Sequence, residues 1–331
     1  MPSTTPLVTV CVITYNHAAY IQQALDSVLK QKTSFSWTIL VADDCSTDGT
    51  DNILQRYKAE HPEKLQLILQ NKNLGPAQNS IDLLSAPTTT YVAYLEGDDY
   101  WTDPNKLQKQ VDFLENNPEY SFCFHNVDVV DSYNKSILNY GGQKSWYNQS
   151  FSRNELINGK FLFHSCSVVF RNQLALPDWF SKIPTGDKAL QKLWGTKGKA
   201  YCFEDVMSSY RVHNNGISKT IDFFTNQKNK EKRILNELQM QHGILSEIKQ
   251  WPEHQKQPVL DKIKWHTFQL KFVGKPMWER YKYLLINWHL FIKNYTSIFH
   301  KSRIYAFIKI LAYLGDFPER VSKKLIHILY E

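Results

Sequence analysis

"LVTVCVITYNHAAYIQQALDSVLKQK", residues 7–32, reads as a strand and a helix joined by a polar corner. Residues 7–14 are a short β-branched run, the pattern of a strand buried on both faces. Residues 18–32 set Tyr20, Ile21, Ala24, Leu25, Val28 and Leu29 on one helical face. The same unit then recurs. "WTILVA" (37–42) precedes the helical "DGTDNILQRYKAEH" (48–61), and "KLQLIL" (64–69) precedes "GPAQNSIDLLSA" (75–86). "YVAYL" (91–95) precedes "DPNKLQKQVDFLENNP" (103–118), where Asp103 suits an N-cap and Pro104 a first turn. "YSFCFHNVDVV" (120–130) reads as a fifth strand.

Strands separated by helices of this length imply an α/β fold, a mainly parallel sheet with helices on both faces. Ligands of such sheets sit beyond the carboxyl ends of the strands. The first strand ends in "TYN", the second in "ADDCSTD" and the fourth in "EGDDYW", so three polar clusters are expected on one sheet edge. Later the pattern loosens. Residues 131–150 read as an irregular excursion, "FLFHSCSVVF" (161–170) as a strand, "PTGDKALQKLWGTKG" as a turn and helix, and "KAYCF" (199–203) as a last short strand. From about residue 222 the pattern is helical. Two domains are expected, at 1–220 and 221–331.

Composition narrows the class. The 331 residues are 42% hydrophobic and 21% charged, ordinary for a globular protein, while 14% aromatic is high. The net charge is +7, and residues 271–331 hold 11 Lys and Arg against 4 Asp and Glu, which accounts for all of it. A basic, aromatic segment of this kind suits an anionic membrane surface or a solvated helical face. No nucleic-acid motif accompanies the charge, so no nucleic-acid partner is expected. Five cysteines without finger spacing, no signal-peptide pattern and no apolar run long enough to span a bilayer suggest a cytoplasmic protein, peripheral at the inner face of the cell membrane at most.

The acids after the fourth strand carry the chemistry. Glu96, Asp98 and Asp99 fall within four residues, and adjacent carboxylates are hard to keep ionised together without a cation. Oxygen ligands suit Mg²⁺ or Mn²⁺, which leave room for substrate phosphates. Of Asp43 and Asp44, one suits a turn and the other a base or ribose. Neither G-x-G-x-x-G nor G-x-x-x-x-G-K-[ST] is present, against a dinucleotide-binding or Walker-type domain.

"VTVCVITYNHAAYIQQALDSVLKQ", "ILVADDCSTDGT", "NKNLGPAQN" and "YVAYLEGDDYW" stand in the order and spacing of family 2 glycosyltransferases, which the chain resembles over residues 7–215. That resemblance implies a GT-A fold and an inverting, nucleotide-sugar-dependent enzyme of the hexosyl- or N-acetylhexosaminyltransferase class. A UDP-sugar is the expected donor. The expected acceptor is a glycan or lipid-linked hydroxyl, as in bacterial surface polysaccharide synthesis. It places Thr14, Tyr15, Asn16, Asp44 and Asn79 at the nucleotide, Asp98 at the ribose and Asp99 on a divalent metal (Mn²⁺ or Mg²⁺). Glu96 stands where many members have Asp, which leaves its role open. Asp187, at a helix start, is the expected general base, with Glu204 and Asp205 as rivals. From "YRVH", His213 is expected at the metal or phosphate, and Arg211 at the leaving diphosphate or holding the loop through a carboxylate. Two other functions compete: a catalytically silent nucleotide-sugar-binding or assembly protein, and a sugar-phosphate nucleotidyltransferase. The second usually needs a Gly-rich basic loop after the first strand, which "TYNHAAY" lacks.

Overall fold

Strands β1 (Val8–Thr14), β2 (Trp37–Asp43) and β4 (Tyr91–Glu96) are apolar almost throughout because both of their faces are covered. They lie parallel, β1 between the other two, and β3 (Leu65–Leu69) extends the parallel half beside β2. Helices α1 (Ile21–Leu29), α2 (Thr50–Glu60) and α3 (Pro76–Ser85) connect these strands. In the computed structural model, which describes residues 5–139, 147–159, 161–173, 175–183, 186–213 and 230–270, ten strands form one sheet.

The second half of the sheet is mixed. A two-residue strand, β5 (Tyr100–Trp101), and helix α4 (Lys106–Asn116) lead into β6 (Tyr120–Val130). The short strands β7 (Ser136–Asn139) and β8 (Gln149–Phe151), helix α5 (Arg153–Asn158), β9 (Val169–Arg171), helix α6 (Gly186–Gly195) and β10 (Lys199–Arg211) follow. The order is β3-β2-β1-β4-β9-β6-β10-β5, with β7 on β6 and β8 on β10. β6 and β10 are parallel, while β9 runs antiparallel to both β4 and β6. This α/β architecture is of the GT-A type expected from the sequence.

Three local expectations need correction. Residues 161–170 are not one strand: Ser165–Ser167 is a 3₁₀ turn and only Val169–Arg171 pairs. Ser167 supplies the reason, since its N–H and its hydroxyl both donate to the His164 carbonyl and turn the chain locally. The strand expected at 199–203 continues to Arg211. Its register slips between Phe203 and Val206, so Glu204 and Asp205 sit in a bulge inside the strand rather than after it. Asp103 is not the N-cap of α4. Asn105 holds that position, and Asp103 accepts from the Asn105 N–H and the Lys109 ammonium.

The chain divides into two units, Met1–Asp222 and Phe223–Glu331. The first has its core in Val10, Val12, Ile39, Val41, Ala93 and Leu95, with Ile21, Leu25 and Val28 of α1 packed on it. In the second, helices α7 (Lys230–Glu247) and α8 (Glu253–Leu270) pack against each other, with Ile234, Met240, Ile244, Ile248 and Val259 buried. No described helix is long and apolar enough to cross a membrane. The basic segment 271–331, with its expected membrane contact, and the middle of the 131–150 excursion lie outside the described residues.

Candidate functional site

The corners after β1 and β2 clasp one another. Asn16, with φ 55°, and Cys45, with φ 61°, turn the two chains through left-handed backbone. Consecutive N–H groups then find side-chain acceptors across the gap: Asn16 N–H on Ser46 Oγ, His17 N–H on Thr50 Oγ1 and Ala18 N–H on Asp48 Oδ2, at 2.8–3.0 Å. Asn16 returns the contact, its Oδ1 accepting the Thr47 N–H at 2.8 Å. Asp43 accepts from the N–H and hydroxyl of Ser46. Of the expected "TYN" contacts, Tyr15 is exposed, Thr14 is buried with its Oγ1 3.3 Å from His17 Nδ1, and the Asn16 side-chain oxygen is used in the clasp.

Two residues expected at the nucleotide make internal hydrogen bonds. Both oxygens of Asp44 accept backbone N–H groups, Leu74 at 2.6 Å and Gly75 at 2.9 Å, and the residue is buried. Asn79 is also buried, donating to the Ala42 carbonyl and accepting from Gln70. Buried polar groups need such partners, and here the partners are protein.

The turn after β4 is built differently. Gly97 N–H donates to the Ile13 carbonyl, and Asp99 N–H closes a turn on the Glu96 carbonyl. A side chain at Gly97 would place Cβ 2.7 Å from Thr14 Oγ1 and 3.0 Å from His17 Nδ1, so only glycine lets the two corners approach. Asp98 Oδ2 lies 2.9 Å from His213 Nε2 and 3.8 Å from His17 Nε2. Its Oδ1 is buried without a hydrogen-bond partner. Burial alone would raise the Asp98 pKa, but the His213 hydrogen bond and the neighbouring imidazoles outweigh it and hold the group below the usual carboxylate range.

Asp99 is the more deeply buried of the two. It is 1% exposed and Oδ1 accepts the Arg211 N–H at 2.8 Å. Burial, then the Asp98 charge, push its pKa well up. Asp98 is thus the one that meets the imidazoles, while Asp99, whose Oδ2 is also buried without a hydrogen-bond partner, stays within the Glu96–Asp98–Asp99 group of carboxylates. Arg211, expected at the leaving diphosphate or holding the loop, is a buried clamp on that loop. Its guanidinium donates to the carbonyls of Asp98 and Asp131 and to Gln23 Oε1, and it lies over the Tyr20 and Tyr100 rings. The guanidinium thus holds the loop through carbonyls, and the Arg211 N–H holds it through the Asp99 carboxylate.

Asp187, in the first turn of α6, comes to the same place from the far end of the unit. Ser165 Oγ lies 3.4 Å from Asp187 Oδ2 and 3.3 Å from Glu96 Oε1. Burial raises the pKa of Asp187, and burial followed by the charges of Asp99, Asp98 and Asp187 raises that of Glu96 well above normal. The 3₁₀ turn carrying Ser165 is pinned from three sides: Trp101 Nε1–H and the Ser208 hydroxyl donate to the Cys166 carbonyl, and Gln110 Nε2–H donates to that of Ser167. The rival bases are engaged elsewhere, Asp205 with Lys109 and Glu204 with Asn148.

His17 and Ser165 were not singled out by sequence reasoning. Two groups among the described residues could hold a metal ion: His17, Asp98 and His213, and Glu96, Asp98 and Asp99. Asp98 belongs to both, and its unpartnered buried oxygen is what a bound cation would satisfy.

Comparison with known proteins places the chain in a family. Residues 9–175 match the family model described as "Glycosyl transferase family 2". The chain is 36% identical over 205 residues to the uncharacterized protein Rv1520 of Mycobacterium tuberculosis, a match spanning 62% of this chain and 58% of that one, so under two thirds of the relative's length is represented. It is 29% identical over 221 residues to the putative teichuronic acid biosynthesis glycosyltransferase TuaG of Bacillus subtilis, covering 64% of this chain and 82% of TuaG. The fold resembles residues 1–349 of S. aureus TarS, solved in complex with UDP. The TM-score is 0.57 at 17% identity, over 84% of this chain and 78% of that one. TarS is named a poly(ribitol-phosphate) beta-N-acetylglucosaminyltransferase.

Proposed function

The chain belongs to glycosyl transferase family 2, and from that premise we propose that its first unit is an inverting, metal-dependent glycosyltransferase. It moves a hexosyl or N-acetylhexosaminyl group from a UDP-sugar to a hydroxyl of a glycan or lipid-linked acceptor, in the building of a surface polysaccharide. TuaG and TarS, by their names, support the acceptor class, and the UDP complex of TarS supports the donor. One observation carries the reading. A carboxylate with an unsatisfied oxygen, Asp98, and a carboxylate made more basic by burial, Asp187, are linked through Glu96 and Ser165 at one sheet edge.

Asp98 and His213 would hold the divalent ion, which when bound neutralises charge on the leaving diphosphate. Exposed Tyr15 offers a surface for the nucleotide, while Asp44 and Asn79 keep the pocket wall in shape. Asp187 accepts the proton of the acceptor hydroxyl as that oxygen attacks the anomeric carbon. The bond from that carbon to the diphosphate oxygen breaks, the nucleoside diphosphate leaves with the electron pair, and the configuration inverts. Ser165 holds Asp187 in line. A carboxylate of raised pKa is the better base, provided the pH is high enough to keep it ionised.

The test is a panel of nucleotide sugars with Mn²⁺, read by release of nucleoside diphosphate. UDP release from one sugar is expected, and Asp187→Asn should lower turnover by about 10²–10⁴-fold with UDP affinity unchanged. Near-normal turnover in that variant contradicts the base assignment. No release from any donor favours a silent binding protein.

A further inference from the structure

His17 is the unexplained member of the Asp98 cluster. Its backbone is fixed at both ends, the N–H on Thr50 Oγ1 and the carbonyl accepting the Tyr20 and Ile21 N–H groups. Its ring is fixed as well. Nδ1 sits 3.3 Å from Thr14 Oγ1, and the pair packs on the bare Cα of Gly97. That contact, with Nδ1–H donating to the hydroxyl, leaves an Nε2 lone pair aimed at Asp98 Oδ2, 3.8 Å away. Orienting a ligating imidazole through its second nitrogen is the usual way proteins prepare a metal ligand.

We propose that His17 is a metal ligand, making with Asp98 and His213 a site of two imidazoles and one carboxylate that binds a transition-metal ion before the nucleotide arrives. The ligand atoms of the three residues lie within 4.8 Å of one another. Atoms bonded to one ion at about 2.1 Å sit within roughly 4.2 Å, so a small side-chain shift closes the set. The rings of His17 and His213 stand 6.2 Å apart at 80°, edge to face, so they are not stacked against each other.

The donor set sets the selectivity. Two imidazole nitrogens favour borderline ions such as Co²⁺ over Mg²⁺, which prefers oxygen ligands and retains its water. The nucleotide-free protein should therefore bind Co²⁺ at least roughly tenfold more tightly than Mg²⁺. The inference rests on the metal-dependent reading above and narrows it.

The experiment is titration of the full chain with Co²⁺ and, separately, Mg²⁺ in the absence of nucleotide, followed by proton NMR of the Co²⁺ form. Each ligated histidine contributes one strongly shifted, exchangeable imidazole N–H signal. Two such signals are expected. His17→Gln should leave one and weaken Co²⁺ binding by about 10–100-fold, with a smaller effect on Mg²⁺. A single signal in the unaltered protein overturns the role of His17 while leaving a metal on Asp98 and His213 intact. No Co²⁺ binding at all overturns both. The signal count is read on the unaltered protein, so it stands even if the variant fails to fold.

Discussion

The corner after β1 and β2 and the turn after β4 adjoin on one sheet edge, yet they treat their polar groups in opposite ways. In the corner, N–H groups of Asn16, His17, Ala18, Ser46 and Thr47 all have side-chain acceptors. In the turn, one buried oxygen of Asp98 and one of Asp99 have no hydrogen-bond partner, and Glu96 and Asp99 are pushed toward their neutral form by burial and the neighbouring carboxylates. A saturated region is scaffold. An unsaturated one keeps a cost in the free protein that a ligand can relieve. The difference separates the residues that shape the site from those that act in it.

Arg211 joins the two regions, reaching Gln23 on α1 and the Asp98 carbonyl. Arg211→Met keeps the packing on Tyr20 and Tyr100 but strips three acceptors of their donor. A stability loss of about 3 kcal/mol is expected by urea denaturation. A loss under about 1 kcal/mol would mean that water replaces the clamp, and that the turn after β4 does not depend on it.

Lys106 sharpens the comparison, because it is unsaturated without being in the site. It is fully buried, its ammonium has no hydrogen-bond partner, and it lies 4.2 Å over the Trp101 ring. Burial pushes its pKa down to about 7. Between that value and an unfolded value of about 10.4, the unfolded chain binds the extra proton, so stability rises with pH across this window. Lys106→Met should stabilise the protein by about 1–2 kcal/mol at pH 7 and flatten the rise between pH 7 and 9. If the variant is less stable at pH 7, the amine has a role that the comparison misses.

In the saturated corner a backbone contribution can be separated from a hydrogen bond. Asn16→Ala loses the bond to Thr47 and puts a side chain with no local hydrogen bond at φ 55°, at a cost of about 2 kcal/mol. Asn16→Gly loses the bond but suits the backbone and should cost only about 1 kcal/mol. Thermal melts of the two variants separate the contributions, and equal losses would remove the backbone argument.

The parallel half of the fold was legible because β1, β2 and β4 are long apolar runs that end in polar clusters. The mixed half was not. β9 enters between β4 and β6 as three residues after a 3₁₀ turn, and the apolar run at 161–170 conceals that turn. At the site, the sequence located the acids but not their directions. Asp98 and Asp99 lie past the end of β4 in a tight turn, where one residue decides which carboxylate meets the imidazoles and which accepts the Arg211 N–H. Asn79, Asp44 and Arg211 carry polar groups that suit a ligand and equally suit the interior, and only the fold chooses. His17 had no signal of its own in "TYNHAAY". The closeness of Gly97 to Thr14 and His17 gives it one in three dimensions.

The central claim is that the unsatisfied Asp98 cluster binds the diphosphate of a donor through a divalent ion. Calorimetric titration of the full chain with UDP, with and without Mn²⁺, tests it most directly. Binding at least about tenfold tighter with Mn²⁺ is expected. Equal affinity in both conditions would contradict the account.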